Sequence, residues 1–385
     1  MAYEDMVTPE MEKDFKRSQV FELAPDFWML EGWMSSTWSK NITSANIFIA
    51  RDGDTVLLYD TGLYPFYRRK TLEKIQKHRQ EGAKRLVLLN SHGHFDHIAN
   101  NDIILEAGLP EVHFLATEPE RGVLDLPNHY SKTMKELEEY YDPYTYEPWI
   151  SSANYQKLMN EARTMVERAE VFSLPSRGRC RFGDVEVMGW EVGRFLAIHD
   201  AGQTPGHVCL YDPQYKVMIA GDLCMDIQPP FLECSMNNCI DTIRKFRRMA
   251  EQGYIEVATD CHRMGSFLPK VYQDSKVKPL HPLQLTHMAR GREECVAVYN
   301  AWDSYYTSLK KETLAAHARI GEATVPEIVA ELSKSSHPAV QLKKAWQYPS
   351  RPSRMGVLVA VVLKEGGARR RKEGNKILFS PVKSE

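Results

Sequence analysis

Short apolar runs and amphipathic stretches alternate along most of the chain. Ser44-Ala-Asn-Ile-Phe-Ile-Ala50 and Thr55-Val-Leu-Leu-Tyr-Asp60 are rich in β-formers and flank the turn Arg51-Asp-Gly-Asp54. Apolar runs bounded by turn residues predict strands. Residues 64–80 carry Leu72 and Ile75 among basic residues, the spacing of an amphipathic surface helix. Arg85-Leu-Val-Leu-Leu-Asn90 reads as a further strand. After residue 170 four more runs follow, at Val185–Trp190, Phe195–His199, His207–Tyr211 and Lys216–Ala220. A helix over 241–252 and a strand at Tyr254–Ala258 close the series. This rhythm predicts an α/β fold, an α+β sandwich with helices outside the sheets.

Two segments break the rhythm. Residues 117–170 are rich in Glu, Lys and Tyr, with Tyr130, Tyr140, Tyr141, Tyr144, Tyr146, Trp149 and Tyr155 around Pro143 and Pro148. Stretches 131–141 and 153–169 predict helices within this insertion. Tyrosines supply apolar walls with hydroxyls that can face a polar substrate, so the segment reads as a lid, with Tyr140 and Tyr144 as candidate contacts. Packing into the core is the other reading. Beyond residue 283 the pattern turns helical. Thr324-Val-Pro-Glu327 carries a helix-start signal, Gly356–Leu363 a buried helix, and Arg369–Phe379 the Gly-Asn turn of a hairpin. The chain therefore divides into residues 1–283 and a helical, winged-helix-like module, 284–385.

Composition narrows the partners. The 385 residues are 43% hydrophobic and 26% charged, as in a soluble globular protein, and the net charge of −2 offers no bulk attraction to nucleic acid or anionic membrane. The apolar run Met355–Leu363 is about half of a membrane span. No basic stretch precedes an apolar one at the N-terminus, and the seven cysteines show no CxxC spacing, so a reduced, cytoplasmic chain is expected. The local excess of seven Lys/Arg over three Glu from Lys364 to Glu385 reads as a solvated wing or a homodimer contact before it reads as a nucleic-acid surface.

The chemistry concentrates in Ser91-His92-Gly93-His94-Phe95-Asp96-His97, directly after a predicted strand. Three imidazoles and a carboxylate on a tight loop with a rigid base can present ligands to two adjacent cations. With only 13 His in the chain, this density points to metal.

His92-Gly-His94-Phe-Asp96-His97 resembles the HxHxDH signature of the metallo-β-lactamase superfamily. The resemblance extends over residues 27–265. Tyr59-Asp60-Thr61-Gly62 resembles the family's strand-end Asp-Thr-Gly, and Ala220-Gly221-Asp222 its Gly-Asp element, whose carboxylate bridges two metals. Thr259-Asp-Cys-His262 resembles the place of the last His ligand. The resemblance implies an αββα sandwich with the metals at one edge of two sheets. It implies Zn2+, one or two ions, with Mn2+ or Fe2+ as alternatives. One departure stands out: Asp200-Ala-Gly-Gln203-Thr-Pro-Gly-His207-Val places Gln203 where the family's third imidazole sits, and His207 on the following His. Either Gln203 fills the ligand position or His207 moves into it. His207 and Asp60 are also candidates for holding ligands from behind.

The expected ligand set is then His92, His94, Asp96, His97, Gln203, Asp222 and His262. The resemblance implies a hydrolase acting on a small molecule. A metal-bound hydroxide, oriented and deprotonated by Asp96, would attack an ester, lactone, thioester or amide carbonyl, or a halogenated ring carbon. Two alternatives remain open: a nuclease or nucleic-acid-binding regulator using the C-terminal module, and a catalytically impaired, ligand-binding relative.

Overall fold

The computed structural model describes residues 4–33, 43–143, 153–224, 229–262, 288–346 and 353–381. Two seven-stranded sheets face each other. The first has strands in chain order: β1 (Val20–Ala24), β2 (Phe27–Leu30), β3 (Ile47–Asp52), β4 (Thr55–Tyr59), β5 (Arg85–Leu89), β6 (Glu111–Thr117) and β7 (Glu170–Phe172). The second runs from β8 (Gly178–Phe182) through β9 (Val185–Val192), β10 (Phe195–His199), β11 (Val208–Asp212), β12 (Val217–Ile219) and β13 (Val257–Thr259) to β14 (Ala289–Arg290). Pairing is antiparallel from β1 to β4 and from β8 to β12; β4 to β7, and β12 with β13, pair in parallel.

The central strands are buried on both faces, and the period of two sorts their side chains between two cores. Leu57 and Tyr59 of β4, Val87 and Leu89 of β5, Ala197 of β10 and Ile219 of β12 meet between the sheets. Val56 and Leu58, Leu86 and Leu88, Ile198 and Met218 alternate with them and face the outer helices. Because both registers are apolar, these runs read in sequence as continuous hydrophobic stretches. Tyr59 also spans the inner core, its hydroxyl donating to Val208 O at 2.7 Å.

The expected helix over 64–80 is Pro65–Gln80, and the one expected at 241–252 begins earlier, at Met236, where Ser235 caps it by accepting from Asn238 N–H. β6, β7 and β8 were not foreseen from the pattern. Helix formation in the insertion stops at Glu161, short of the expected 169.

The insertion corrects the lid expectation for Tyr140. Leu126, Tyr130, Met134, Leu137 and Tyr141 form one helical stripe that is buried in the core, so Tyr130 and Tyr141 are packing residues. Tyr140 turns the other way and stacks on Phe379 with ring centroids 5.4 Å apart. Tyr144 lies outside the described residues.

The expected boundary at 283/284 also lies outside them. β14 pairs with β13, so Ala289 and Arg290 complete the second sheet. The long helix Arg292–Ile320 then packs on Met236–Glu251, with Phe246 against Tyr299 and Asp303 bonded to Arg244 and Arg247. Helices Val325–Leu332, Pro338–Trp346 and Ser353–Glu365 follow, then a hairpin of β15 (Arg370–Glu373) and β16 (Lys376–Phe379). Two of the hairpin's bases are paired: Arg370 bonds Glu139, and Arg371 bonds Glu322 and Glu373. Among the described residues no helix is long and apolar enough to cross a membrane.

If the two-core arrangement sets stability, Leu88→Ala, fully buried, lowers unfolding free energy by about 2–5 kcal/mol in urea titration. Val20→Ala, on the exposed end of an edge strand, changes it by about 0.5 kcal/mol or less.

Candidate metal centre

Apart from Gln203 and His207, which lie between β10 and β11, the candidate residues sit on loops at the C-terminal ends of β4, β5, β12 and β13, strands that pair in parallel. Their carbonyl ends all point to one edge, so the loops converge there. Asp60 ends β4 at a positive φ of 61°. The His92–His97 loop follows β5, and a short helix, Phe95–Ile98, carries Asp96 and His97. Asp222 follows β12 across Gly221, and His262 follows β13.

The structure brings six of the expected residues together. His92 Nε2 lies 2.9 Å from His94 Nδ1 and 3.7 Å from Asp222 Oδ2. His97 Nε2 lies 3.3 Å from Asp222 Oδ2 and 3.2 Å from His262 Nε2. His262 Nε2 is 3.4 Å from both Asp222 Oδ1 and Asp96 Oδ2. Gln203 joins them: its amide reaches His94 Nδ1 at 3.3 Å and Asp222 Oδ2 at 3.5 Å. His207 does not. Its Nε2 accepts the Asp222 backbone N–H at 3.2 Å and its Nδ1 faces Asp200 at 3.3 Å, so it props the Asp222 loop from behind.

Asp60 fixes the imidazoles. Its carboxylate accepts from Ser91 N–H and Ser91 Oγ–H, both at 2.7 Å, and from His97 Nδ1–H at 2.8 Å. Ser91 Oγ, having donated, accepts from His92 Nδ1–H at 2.9 Å. Both rings are thereby held in the tautomer whose Nε2 lone pair faces Asp222.

Lone pairs aimed at one another and at carboxylates repel unless positive charge lies between them. The proton affinities show that demand. Burial acts to lower the pKa of His97, but Asp222, Asp60 and Asp96 overcome it and hold it well above the usual histidine value. Burial opposes protonation of His262 too, yet Asp222 and Asp96 push it up to about 10. Asp222 stays well below the carboxylate range despite burial, because His97 and His262 flank it. His92 shifts well down through burial and its His97 and His94 neighbours, and is a neutral donor. Two carboxylates and four imidazoles drawing in positive charge fit a divalent cation or a pair of them.

Three contributions were invisible in the sequence pattern. Buried Glu120 of the insertion accepts Gly93 N–H at 2.7 Å and Gly206 N–H at 2.9 Å, and also bonds Thr204; it ties the histidine loop to the Gln203 loop. His129 and Glu233 lie 3.1 Å apart beside His94. Tyr306, on the C-terminal long helix, donates to Leu223 O at 2.9 Å and braces the Asp222 loop. A lone Glu, His or Tyr in a mixed helix carries no spacing signal, so only the fold reveals them.

Gly221 is a tight backbone point of the centre. Its φ is 58°, and a Cβ there would sit 2.1 Å from His207 Nε2. Gly221→Ala should displace Asp222 and lower metal content as read by elemental analysis. Gly122→Ala, helical and with nothing near its added Cβ, should leave metal unchanged and raise stability by about 0.5–1 kcal/mol.

No curated protein matches the chain. Among solved structures, a metallo-beta-lactamase family protein from Thermus thermophilus superposes with TM-score 0.57 at 15% identity, covering 93% of this chain and 100% of that one. A beta-lactamase domain protein from Burkholderia ambifaria gives 0.54 at 13% identity, with 94% of each chain covered. A stereoselective inverting sec-alkylsulfatase from Pseudomonas sp. gives 0.53 at 17% identity, and 94% of this chain covers 53% of that one. The family model described as the Metallo-beta-lactamase superfamily matches residues 41–254, from just before β3 to the turn before β13. That is more than half of the chain, which therefore belongs to the metallo-beta-lactamase superfamily.

Proposed function

We propose that the chain is a metal-dependent hydrolase of a small molecule with an activated carbon, most directly an ester, lactone, thioester or amide carbonyl. The observation that carries this reading is the set of imidazole Nε2 atoms of His92, His97 and His262 converging on Asp222, with Asp60 dictating two of their tautomers. His92, His94 and Gln203 would hold one cation, and Asp96, His97 and His262 another, with Asp222 shared between them. Bound divalent cations supply Lewis acidity and an acidified water at neutral pH.

The chain's own residues do the rest. Asp96 accepts from Thr43 Oγ1 at 3.3 Å, which fixes one carboxylate oxygen and leaves the group oriented to receive a proton from the attacking water. Asn46 donates to the carbonyls of Asp260 and His262 at 3.0 Å each and sets the angle at which His262 enters. Phe231 packs 5.6 Å from the His94 ring and supplies an apolar wall that limits water there. The paired arginines of the C-terminal hairpin favour this reading over phosphate binding, because their charge is already engaged.

Chelation should abolish turnover in a panel of esters, lactones, thioesters, amides and a secondary alkyl sulfate, and divalent cations should restore it. His97→Ala and His262→Ala should lower metal content and activity together, since few donors can replace a lost imidazole. Full activity in metal-free protein would overturn the proposal.

The two positions are unequal. An amide is a neutral and weaker donor than imidazole for zinc. Altering groups that only orient ligands changes affinity by about 10–100-fold, so exchanging a ligand should matter at least as much. Gln203→His should therefore tighten the weaker of two zinc-binding steps by about tenfold or more in a competition titration. Unchanged affinities for both ions would show that position 203 does not touch metal.

A further inference from the structure

The outer face of the first sheet is left partly uncovered near β1. Val20 pairs with Leu30 across β1 and β2, and Trp28 pairs with Ile49 across β2 and β3, so the period of two puts all four side chains on one face. Leu30 and Ile49 are buried there, whereas Val20 is 62% exposed. Helix Pro65–Gln80 flanks this face with Lys70, Lys74 and Lys77, whose spacing of four and three residues aligns them along one side of the helix. With Glu73 these residues enclose a cavity of ≈ 250 Å³ that has an apolar floor and a basic rim. Sites for drug-sized ligands span about 300–1,000 Å³, so this one fits a smaller molecule.

Lysines whose stems cover apolar surface ordinarily send the ammonium out to water. Lys74 does the reverse: its Nζ lies 3.3 Å from the centre of the Trp28 ring. Lys70 bonds Glu73 at 2.8 Å and Lys77 lies 3.8 Å from Glu81, but Lys74 makes no ion pair among the described residues. Burial, and then Lys77, lowers its pKa below the usual lysine value, while Glu81, Asp26 and Glu22 act the other way. An ammonium drawn over an apolar floor without a direct counter-charge is completed by an anion whose remaining surface is apolar.

We propose that this hollow binds a small carboxylate with an apolar body, of the class of medium-chain fatty acids. The tail lies on Val20, Trp28, Leu30 and Ile49, and the carboxylate meets Lys74 between Lys70 and Lys77. An alcohol of the same length fills the floor and leaves Lys74 without a counter-charge; acetate pairs with Lys74 and leaves the floor wet. Only a ligand with both parts recovers both contributions. None of the lining residues is a candidate metal ligand, so the site is separate from the Asp222 cluster.

The test titrates octanoate into the metal-loaded full chain by calorimetry. The hollow should take up about one equivalent per chain, with octanol and acetate each binding more weakly. Lys74→Met, on the helix surface, keeps the stem and removes the charge; it should weaken octanoate by about tenfold or more and leave octanol unchanged. Octanoate brominated at its terminal carbon should give an anomalous peak over Leu30 and Ile49 in crystals measured at the bromine edge. Equal octanoate affinity in the parent and Lys74→Met would overturn the proposal, as would no binding at all. A bromine peak found only at the metal centre would overturn it too, because the carboxylate would then be a metal ligand. Turnover is not read, so loss of the hydrolase reading leaves this site standing, and the reverse holds.

Discussion

The carboxylate of Asp60 is the constraint on which the centre depends. It is wholly buried, and an unpaired buried charge costs several kcal/mol, so it persists only because donors surround it. Ser91 gives it two hydrogen bonds, His97 a third and the Cys261 thiol, at 3.3 Å, a fourth. Each donor belongs to a different functional stretch: the histidine loop, its short helix, and the segment leading to His262. One carboxylate thus registers three loops against one another and dictates which nitrogen of His92 and His97 is basic. The parallel pairing of Tyr59 with Leu89 places Asp60 beside Ser91, so the constraint follows from strand register. The left-handed φ of Asp60, uncommon for a residue with a side chain, is what turns the carboxylate under that loop.

Around this point the loops are held from outside by elements that carry no ligand of the Asp222 cluster. Glu120 clamps Gly93 and Gly206, His207 holds the Asp222 amide, and Tyr306 holds the carbonyl after it. Glu365 accepts from Ser235 Oγ at 2.7 Å, and Lys364 donates to Leu232 O at 2.8 Å, so the last long helix pins the segment on either side of Glu233. The C-terminal helices therefore act on the site through Leu223 and the residues around Glu233. This is a mechanical role: a ligand loop of irregular backbone keeps its geometry when its buried carbonyls and amides find fixed partners.

The core strands and the ligand loop were legible in the sequence because each rests on local pattern. β3, β4, β5 and β9 to β12 are short apolar runs between turn residues, and the seven expected ligands cluster because they lie on loops that meet at one edge of the sheets. For Tyr130, Tyr140 and Tyr141 of the insertion, packing replaces the lid reading for a physical reason. Tyrosine serves equally as pocket wall and as core filler, and only the stripe through Tyr130, Met134 and Leu137 separates the two; Tyr140, off that stripe, belongs to the C-terminal hairpin. What the insertion brings to the centre is Glu120 and His129, single polar residues on helices whose partners are remote in sequence. β6 and β7 escaped notice because Glu111 and His113, or Glu170, interrupt their apolar pattern at an exposed edge. The choice between Gln203 and His207 was open in the sequence because both follow the same turn; the fold separates them by giving His207 to the backbone of Asp222.

That separation bears on what kind of centre this chain builds. Where Gln203 stands, an imidazole would share the charge of a cation with His92 and His94; the amide shares less of it. The group of Asp96, Asp222, His97 and His262 has no such gap, since two carboxylates and two imidazoles surround one point. Under the proposed function one strong position would suffice: a bound cation would acidify water, Asp96 would take the proton, and a neighbouring group would stabilise developing negative charge. Under the same proposal the weaker position, at Gln203, would affect binding of substrate more than generation of the nucleophile. His129 of the insertion and Glu233 line a cavity and, among the described residues, supply no ligand to the Asp222 cluster, so divergence in substrate is expected there.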